Sequence, residues 1–168
     1  MAIRKIVKLG EDALRKKCKP QEKFDLRLWV LLKDMADTMY KAEGVGLAAP
    51  QVGILRRVVV IDVGDGLVEL INPVITEVSD ETQCGREGCL SLPGRQGVVT
   101  RPYAVKVKAV DRKGEPFELE AEGFFARAIC HELDHLEGRL YIDVMDRELT
   151  PEEIEGHIPE DDDQEEED

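Results

Sequence analysis

Residues 124–138 read FFARAICHELDHLEG, and this stretch decides the fold because it predicts a helix that carries ionisable side chains into an apolar interior. Its apolar positions are Phe124, Phe125, Ala128, Ile129, Leu133 and Leu136. We expect the helix to begin near Glu122 or Gly123 and to end at Gly138. His131 and His135 are four residues apart, so their rings share one face and can bind one metal ion. Two buried imidazoles without partners would be costly, which favours a metal site.

The residue beside the first histidine, Glu132, is placed to take a proton from a water molecule at such a metal. The HExxH pattern is typical of zinc proteases, which need a third ligand. A metzincin has HExxHxxGxxH, and here Gly138 fits but Tyr141 stands where the third histidine belongs. A thermolysin-like protease uses a downstream glutamate on another helix. The available ones lie in or near the acidic end, without an apolar helix to carry them: Glu148, Glu152, Glu153 and Glu155.

A further candidate ligand lies upstream, in the segment EGCLS at 87–91. The thiolate of Cys89 with two imidazoles would give three protein ligands and leave a fourth position open. Cys130 points about 100° away from His131 on a helix, which favours packing over ligation. Asp134 is either an acceptor for a ring N–H or a solvent-facing residue. Arg127 is an unexpected charge in an apolar helix.

The rest of the chain indicates one further helix and several antiparallel strands. Residues 25–42 follow a helical period, with Trp29, Leu32, Ala36 and Met39 on one face and Asp25 as the cap. RRVVVIDV (56–63) predicts a strand, and 67–80 predicts one or two more, interrupted at Asn72-Pro73 by a bulge or an edge. Residues 103–111 and 115–123 alternate about the turn RKG and predict a hairpin. EGVGLAAPQVG (43–53) predicts a glycine-punctuated loop.

These elements predict an α+β fold in which antiparallel β-sheets pack around a central metal-binding helix, with an additional N-terminal helix. We expect a single catalytic domain over residues 1–150. The net charge of −13 is concentrated in 152–168, which holds 11 acidic residues and no Lys or Arg, so the remainder has 25 acidic against 23 basic residues. We therefore expect 151–168 to be an acidic, disordered tail.

The composition of the chain also limits its expected cellular compartment and its binding partners. The N-terminus has no long apolar segment, and no stretch approaches the ~18 apolar residues that a membrane span needs. Four scattered cysteines in 168 residues do not form a disulfide framework, which is typical of a reducing compartment. We expect a cytoplasmic protein, with no membrane contact and no direct binding of nucleic acid, which the acidic end would repel.

Three segments together resemble the signature motifs of the peptide deformylases: EGVGLAAPQVG at 43–53, EGCLS at 87–91 and HELDH at 131–135. They occur in the family's order and separation, and the resemblance spans residues 1–148. It implies an enzyme that removes the formyl group from the N-terminal formylmethionine of newly made proteins and releases formate. Its partners would be formylated nascent peptides, with transient proximity to the ribosome. The acidic end differs from the basic, ribosome-directed C-terminal helix of some members.

The resemblance also implies roles for individual residues. Cys89, His131 and His135 would hold the metal, and Glu132 would be the general acid and base. Gln51 and the backbone N–H of Leu90 would bind the oxyanion. The residues expected to contact the substrate are Gly46, Val45, Gly88, Phe124 and Ala128. The implied ion is Fe²⁺ in the cell, with Zn²⁺, Ni²⁺ or Co²⁺ able to replace it, since a Cys-His-His site accepts all four.

Two other hypotheses stay open from the residues alone. A zincin-type endopeptidase would cleave internal peptide bonds independently of Cys89. A non-catalytic module would use the metal only for stability, and removal of the ion would unfold it.

Overall fold

The computed structural model describes residues 2–156, and the predicted disorder of 157–168 lies outside this range. Within this range, the α-helices are α1 (Leu26–Lys41), α2 (Gly123–Leu136) and α3 (Pro151–Glu155). The strands of the same residues are β1 (Gly46–Ala48), β2 (Val58–Ile61), β3 (Val68–Val78), β4 (Thr82–Cys89), β5 (Leu92–Pro102), β6 (Ala104–Val110), β7 (Pro116–Glu122) and β8 (Arg147–Glu148). Short 3₁₀ turns cover Asp12–Arg15, Ala49–Val52 and Tyr141–Asp143.

The strands form two antiparallel sheets. The larger has the order β1-β2-β3-β6-β7, and the smaller has the order β4-β5-β8. The hairpin predicted around residues 112–114 is β6–β7, with Val107 opposite Leu119. The fold is therefore α+β with antiparallel sheets, as the sequence predicted.

Strand β2 lies inside the molecule, and this explains its unbroken run of β-branched residues. Val59 and Ile61 pack with the apolar residues of α2, such as Ile129. Val58 and Val60, on the other face, pack against α1. A strand that is covered on both sides needs apolar residues at every position rather than at alternate ones. The larger sheet thus lies between α1 and α2, and these three layers form the core.

Helix α1 begins at the predicted cap, where the Asp25 carboxylate accepts the Leu28 N–H at 3.3 Å. The buried face is centred on Leu28, Leu32 and Met35. Trp29, which the period places on the same face as Leu32, is 39% exposed. Its indole N–H donates to the Arg112 carbonyl at 2.9 Å, so the ring lies over the edge of the core.

The interruption predicted at Asn72-Pro73 is a bulge. Asn72 has φ of 52°, and the register of β3 against β6 shifts between Ile71 and Val74. The alternative of an edge strand is wrong, since β3 lies between β2 and β6. The bulge tolerates Pro73 within an internal strand because the extra residue makes no ladder hydrogen bond.

Three segments depart from the predicted elements. The loop predicted over 43–53 contains the short strand β1, which pairs with β2. Strands β4 and β5 were not predicted, and they form a long hairpin whose partners run from Thr82 opposite Pro102 to Cys89 opposite Leu92. The first residues of the predicted tail form α3, in which Thr150 caps the helix by accepting the Glu153 N–H at 3.2 Å. The predicted disorder therefore does not begin at residue 151.

Candidate active site

The three predicted metal ligands converge where the two sheets meet. Cys89 ends β4, while His131 and His135 lie one turn apart on α2. One ligand atom from each lies within 4.8 Å of the others, and the Cys89 Sγ is 3.4 Å from the His135 Nε2. Both imidazoles are buried. The structure thus brings together a thiol and two imidazoles at a spacing that fits one metal ion.

The hydrogen bonding of His131 and the charge of His135 also fit a metal. The His131 Nδ1 lies 2.8 Å from a Glu87 carboxylate oxygen. That oxygen can only accept, so Nδ1 carries a proton and Nε2 is the nitrogen left for a ligand. Burial disfavours the charged ring, but Glu132, Cys89 and Glu87 raise the pKa of His131 well above its usual value, so a bound ion must displace a proton from Nε2. Burial lowers the pKa of His135 well below its usual value, which keeps the ring neutral, as metal ligation requires. The His135 Nδ1 is buried and has no partner within residues 2–156.

Glu87, the first residue of the EGCLS segment, orients His131, and its role was missed from the sequence. Arg101 forms a two-bonded ion pair with it, with both N–O distances at 2.9 Å. Arg127 donates to the same carboxylate at 2.8 Å. Burial alone would raise the pKa of Glu87, but the hydrogen bonds from Arg101 and His131 lower it to about 2. The carboxylate is therefore ionised in the interior.

The same network explains two residues that the sequence left open. The charge of Arg127 is satisfied by Glu87 and by the Val99 carbonyl at 2.9 Å, which connects α2 to β4 and β5. Asp134 accepts from Arg101 at 2.8 Å and from Arg139 at 3.2 Å. Asp134 thus supports Arg101, whereas the acceptor for the histidine ring N–H is Glu87. No sequence pattern indicated Arg101, which lies 22 residues before the start of α2 and has no motif around it.

Glu132 lies in the same cluster but has a different environment. It is 4% exposed, and its Oε1 has no hydrogen-bond partner in the described part of the chain. Burial raises the pKa of this carboxyl to about 7. Gly46 faces it closely, because a Cβ at this position would lie 2.5 Å from the Glu132 Oε2. Glycine is therefore required here by the approach of β1 to the carboxyl group.

Gln51 is held with its amide directed at the cluster. Its Oε1 accepts the Ala48 N–H at 2.9 Å, so its Nε2 is the donor end. That nitrogen lies 3.2 Å from the Ser91 Oγ and 3.4 Å from the Cys89 Sγ. Leu90 lies between Cys89 and Ser91, in the turn that connects β4 to β5. The segments 43–53 and 87–91 therefore contact each other beside His131 and His135.

Tyr141, which excluded a metzincin pattern, packs on the site without joining it. Its ring stacks on His131 with centroids 6.0 Å apart and an interplanar angle of 21°. Of the downstream glutamates, Glu148 forms an ion pair with Arg95 at 2.7 Å and Glu153 forms one with Arg147 at 2.9 Å. Cys130 packs in the core between α2 and the larger sheet, where burial raises the pKa of its thiol to about 11.

Two adjoining cavities open at the cluster. One of about 250 Å³ is lined by the predicted substrate residues Val45, Gly88, Phe124 and Ala128, together with His131 and Glu132. The second, of about 390 Å³, is lined by residues of all three motifs and includes Gly46 and Gln51. An apolar recess with a few polar groups at one end is typical of a small-ligand site.

A sequence model of the family described as polypeptide deformylase matches residues 3–150 of the 168-residue chain. The chain belongs to this family. Among its relatives, the peptide deformylase of Caldicellulosiruptor bescii is 57% identical over 155 residues, which span 92% of this chain and 93% of that protein. Peptide deformylase 1 of Clostridium acetobutylicum is 61% identical over 145 residues, which span 86% and 96% of the two chains.

Solved structures agree with this assignment. The crystal structure of peptide deformylase from Thermotoga maritima has a TM-score of 0.85 and 46% sequence identity, and the alignment covers 86% of this chain and 99% of that one. The predicted resemblance is confirmed. The protein is a hydrolase that removes the N-formyl group from nascent peptides, and the family depends on a metal ion. None of the helices within residues 2–156 is long and apolar enough to span a membrane.

The buried network predicts the effect of Glu87→Gln, which keeps the side-chain shape but leaves Arg101 and Arg127 without their shared negative charge. We expect the free energy of unfolding at pH 7 to fall by about 3–5 kcal/mol. The folded pKa of about 2 lies below the ordinary 4.5, so this stabilisation is present above pH 4.5 and is lost as the pH falls toward 2. The difference in the free energy of unfolding between wild type and variant should therefore decrease as the pH falls from 4.5 toward 2.

Denaturant unfolding of both proteins between pH 7 and pH 3 measures this difference. The matched control is Glu118→Gln, an exposed glutamate that pairs with Lys108, and it should change stability by less than ~1 kcal/mol. An equal stability of wild type and Glu87→Gln at pH 7 would show that the network does not hold the hairpin to α2.

Proposed function

We propose that Cys89, His131 and His135 hold one divalent metal ion at which the formyl group is hydrolysed. The observation that carries this proposal is the convergence of their three ligand atoms within 4.8 Å. When bound, the ion supplies Lewis-acid chemistry that makes water a nucleophile near neutral pH and polarises a carbonyl. The thiolate and two neutral imidazoles leave a coordination position open, as catalytic sites require.

Glu132 is proposed as the group that moves the proton. The reaction adds water to a formamide, and it ends in formate and a free amine. One proton must leave the attacking water, and one must reach the departing nitrogen. A carboxyl group whose pKa burial raises to about 7 can accept the first and donate the second at neutral pH. Its Oε1, which has no hydrogen-bond partner within residues 2–156, is free for this task.

Gln51 and Leu90 are proposed to stabilise the negative charge that develops on the formyl oxygen. The Gln51 Nε2 is fixed as a donor by the Ala48 bond to the other end of its amide. The backbone N–H of Leu90 follows directly after Cys89 in the chain. Donors that are already in place when the charge develops are worth about 3–4 kcal/mol each.

The smaller cavity is proposed to hold the methionine side chain of the substrate. Its volume of about 250 Å³ and its lining by Val45, Phe124 and Ala128 suit a flexible apolar chain. Gly88 leaves room at its edge, where the nearest atoms to an added Cβ would be 3.5 Å away. Gly46 lies beside Glu132, where its backbone can meet the backbone of the peptide.

The proton-transfer proposal is tested with Glu132→Gln, which keeps the size of the side chain and removes its basicity. We expect formate release from formyl-Met-Ala-Ser to fall by about 10²–10⁴-fold, while the metal content stays near one ion per chain. Cys89→Ser and His135→Ala should instead lose the metal. A Glu132→Gln enzyme with wild-type kcat would contradict the role of Glu132, and metal retention in both ligand variants would contradict the ligand set.

Fe²⁺ is proposed as the ion in the cell, with Zn²⁺, Ni²⁺ or Co²⁺ as possible replacements. The donor set of one thiolate and two imidazoles accepts all four, so availability and handling decide occupancy. We expect protein purified without oxygen to contain mainly iron and to release formate faster than the same protein reloaded with zinc. Metal analysis with parallel formate assays measures this, and zinc in the anaerobic protein at full activity would contradict it.

Contact with the ribosome is proposed to be transient, in the cytoplasm where translation occurs. The substrate is the N-terminus of a nascent chain, whereas the C-terminal residues 152–168 carry 11 acidic residues that rRNA would repel. We expect formylated chains on stalled ribosomes to be deformylated while the enzyme stays in the supernatant on sedimentation. Stoichiometric pelleting at physiological salt would contradict a transient contact.

A further inference from the structure

The N-terminal residues 2–9, which we call the strap, run beside the two motifs that contain Gln51 and Leu90. The Val7 N–H donates to the Gln51 carbonyl at 2.7 Å, and the Leu9 N–H donates to the Ser91 carbonyl at 2.9 Å. The Lys8 Nζ adds a longer contact of 3.4 Å to the Leu90 carbonyl. One short segment therefore binds the backbone of both motifs that contain the proposed oxyanion donors.

The strap is itself fixed at both ends. Toward its start, the Arg4 N–H donates to the Thr38 Oγ1 of α1 at 2.9 Å, and the Arg4 side chain forms an ion pair with Asp34 at 3.0 Å. After its end, Leu14 is buried in the core of the smaller sheet, where Val7 also packs. A segment anchored on α1 and on the smaller sheet can transmit the position of each to the residues between them.

The two donors need such a connection because different elements carry them. Gln51 lies in the 3₁₀ turn after β1 of the larger sheet, whereas Leu90 lies in the β4–β5 turn of the smaller sheet. The side chain of Gln51 links the two segments through contacts of its Nε2 with the Ser91 Oγ at 3.2 Å and the Cys89 Sγ at 3.4 Å. A small change in the spacing of the two sheets would move one donor away from the oxyanion. Misplacement by about 1 Å can lower a rate by ~10²-fold.

We infer that the strap is a positioning element for deformylation. The Val7 N–H fixes the Gln51 backbone, so that the Gln51 side-chain amide and the Leu90 N–H both stay directed at the oxyanion. This inference rests on the proposed roles of Gln51 and Leu90. The Val7 N–H donates to Gln51 and not to the cluster of Cys89, His131 and His135, so this hydrogen bond acts through Gln51. The Val7 side chain packs in the core of the smaller sheet, where Cys89 also packs.

A double-mutant cycle tests this inference. Val7→Pro removes the N–H, and it is measured in the wild-type background and in Gln51→Ala, which lacks the donor but keeps the carbonyl. We expect Val7→Pro to lower kcat roughly 10-fold in the wild-type background, with KM and metal content little changed, and by less than about 2-fold in Gln51→Ala. A merely structural role would lower kcat equally in both backgrounds.

The matched control is Lys5→Pro, also in the strap. Lys5 is exposed, and its N–H has no partner within residues 2–156, so kcat should stay within about 2-fold of the wild type. If Val7→Pro does not fold, an ester in place of the Ile6–Val7 amide removes the same N–H and keeps the valine. Unchanged kcat in the folded variant, or equal losses in both backgrounds, would overturn the inference. Full activity of Gln51→Ala alone would instead refute the oxyanion role.

Discussion

The buried carboxylate of Glu87 is the interaction on which the rest of the site depends. Two arginines and a histidine donate to it in the interior, from β5 and from α2. An ionised carboxylate there is stable only with such partners, since removing one of them leaves an uncompensated charge. The same contacts fasten the smaller sheet to α2, and they set which nitrogen of His131 is free. One network of hydrogen bonds therefore serves both the stability of the fold and the chemistry of the site.

The contrast between Glu87 and Glu132 shows how environment assigns roles to chemically identical groups. Glu132 is buried on α2 and Glu87 is buried against it, yet the pKa of Glu87 lies at about 2 and that of Glu132 at about 7. Arginine hydrogen bonds stabilise the charge of the first, while burial without a partner destabilises the charge of the second. One carboxylate is thereby a fixed structural charge, and the other can exchange a proton. Enzymes commonly separate such roles in this way.

Hydrophobic periodicity in the sequence predicted the helices and strands whose buried side chains are apolar. Helices α1 and α2, strand β2 and the β6–β7 hairpin follow hydrophobic periods that can be read from the chain. The β4–β5 hairpin escaped prediction because Glu87 and Arg101 occupy buried positions, so its alternation is not hydrophobic. Trp29 lies at the margin of the predicted face and is 39% exposed, because a helical period indicates a face but not its exact centre.

Three motifs in register were enough to identify the family from the chain, and with it the fold class, the hydrolytic reaction and the residues proposed to carry it. The way in which those residues are held became visible only in the folded protein. Arg101, Glu87 and the strap act through contacts between segments distant in the chain, and no local period records such pairs. The physical reason is that a buried charge is defined by its partners, and partners become neighbours only when the two sheets close around α2.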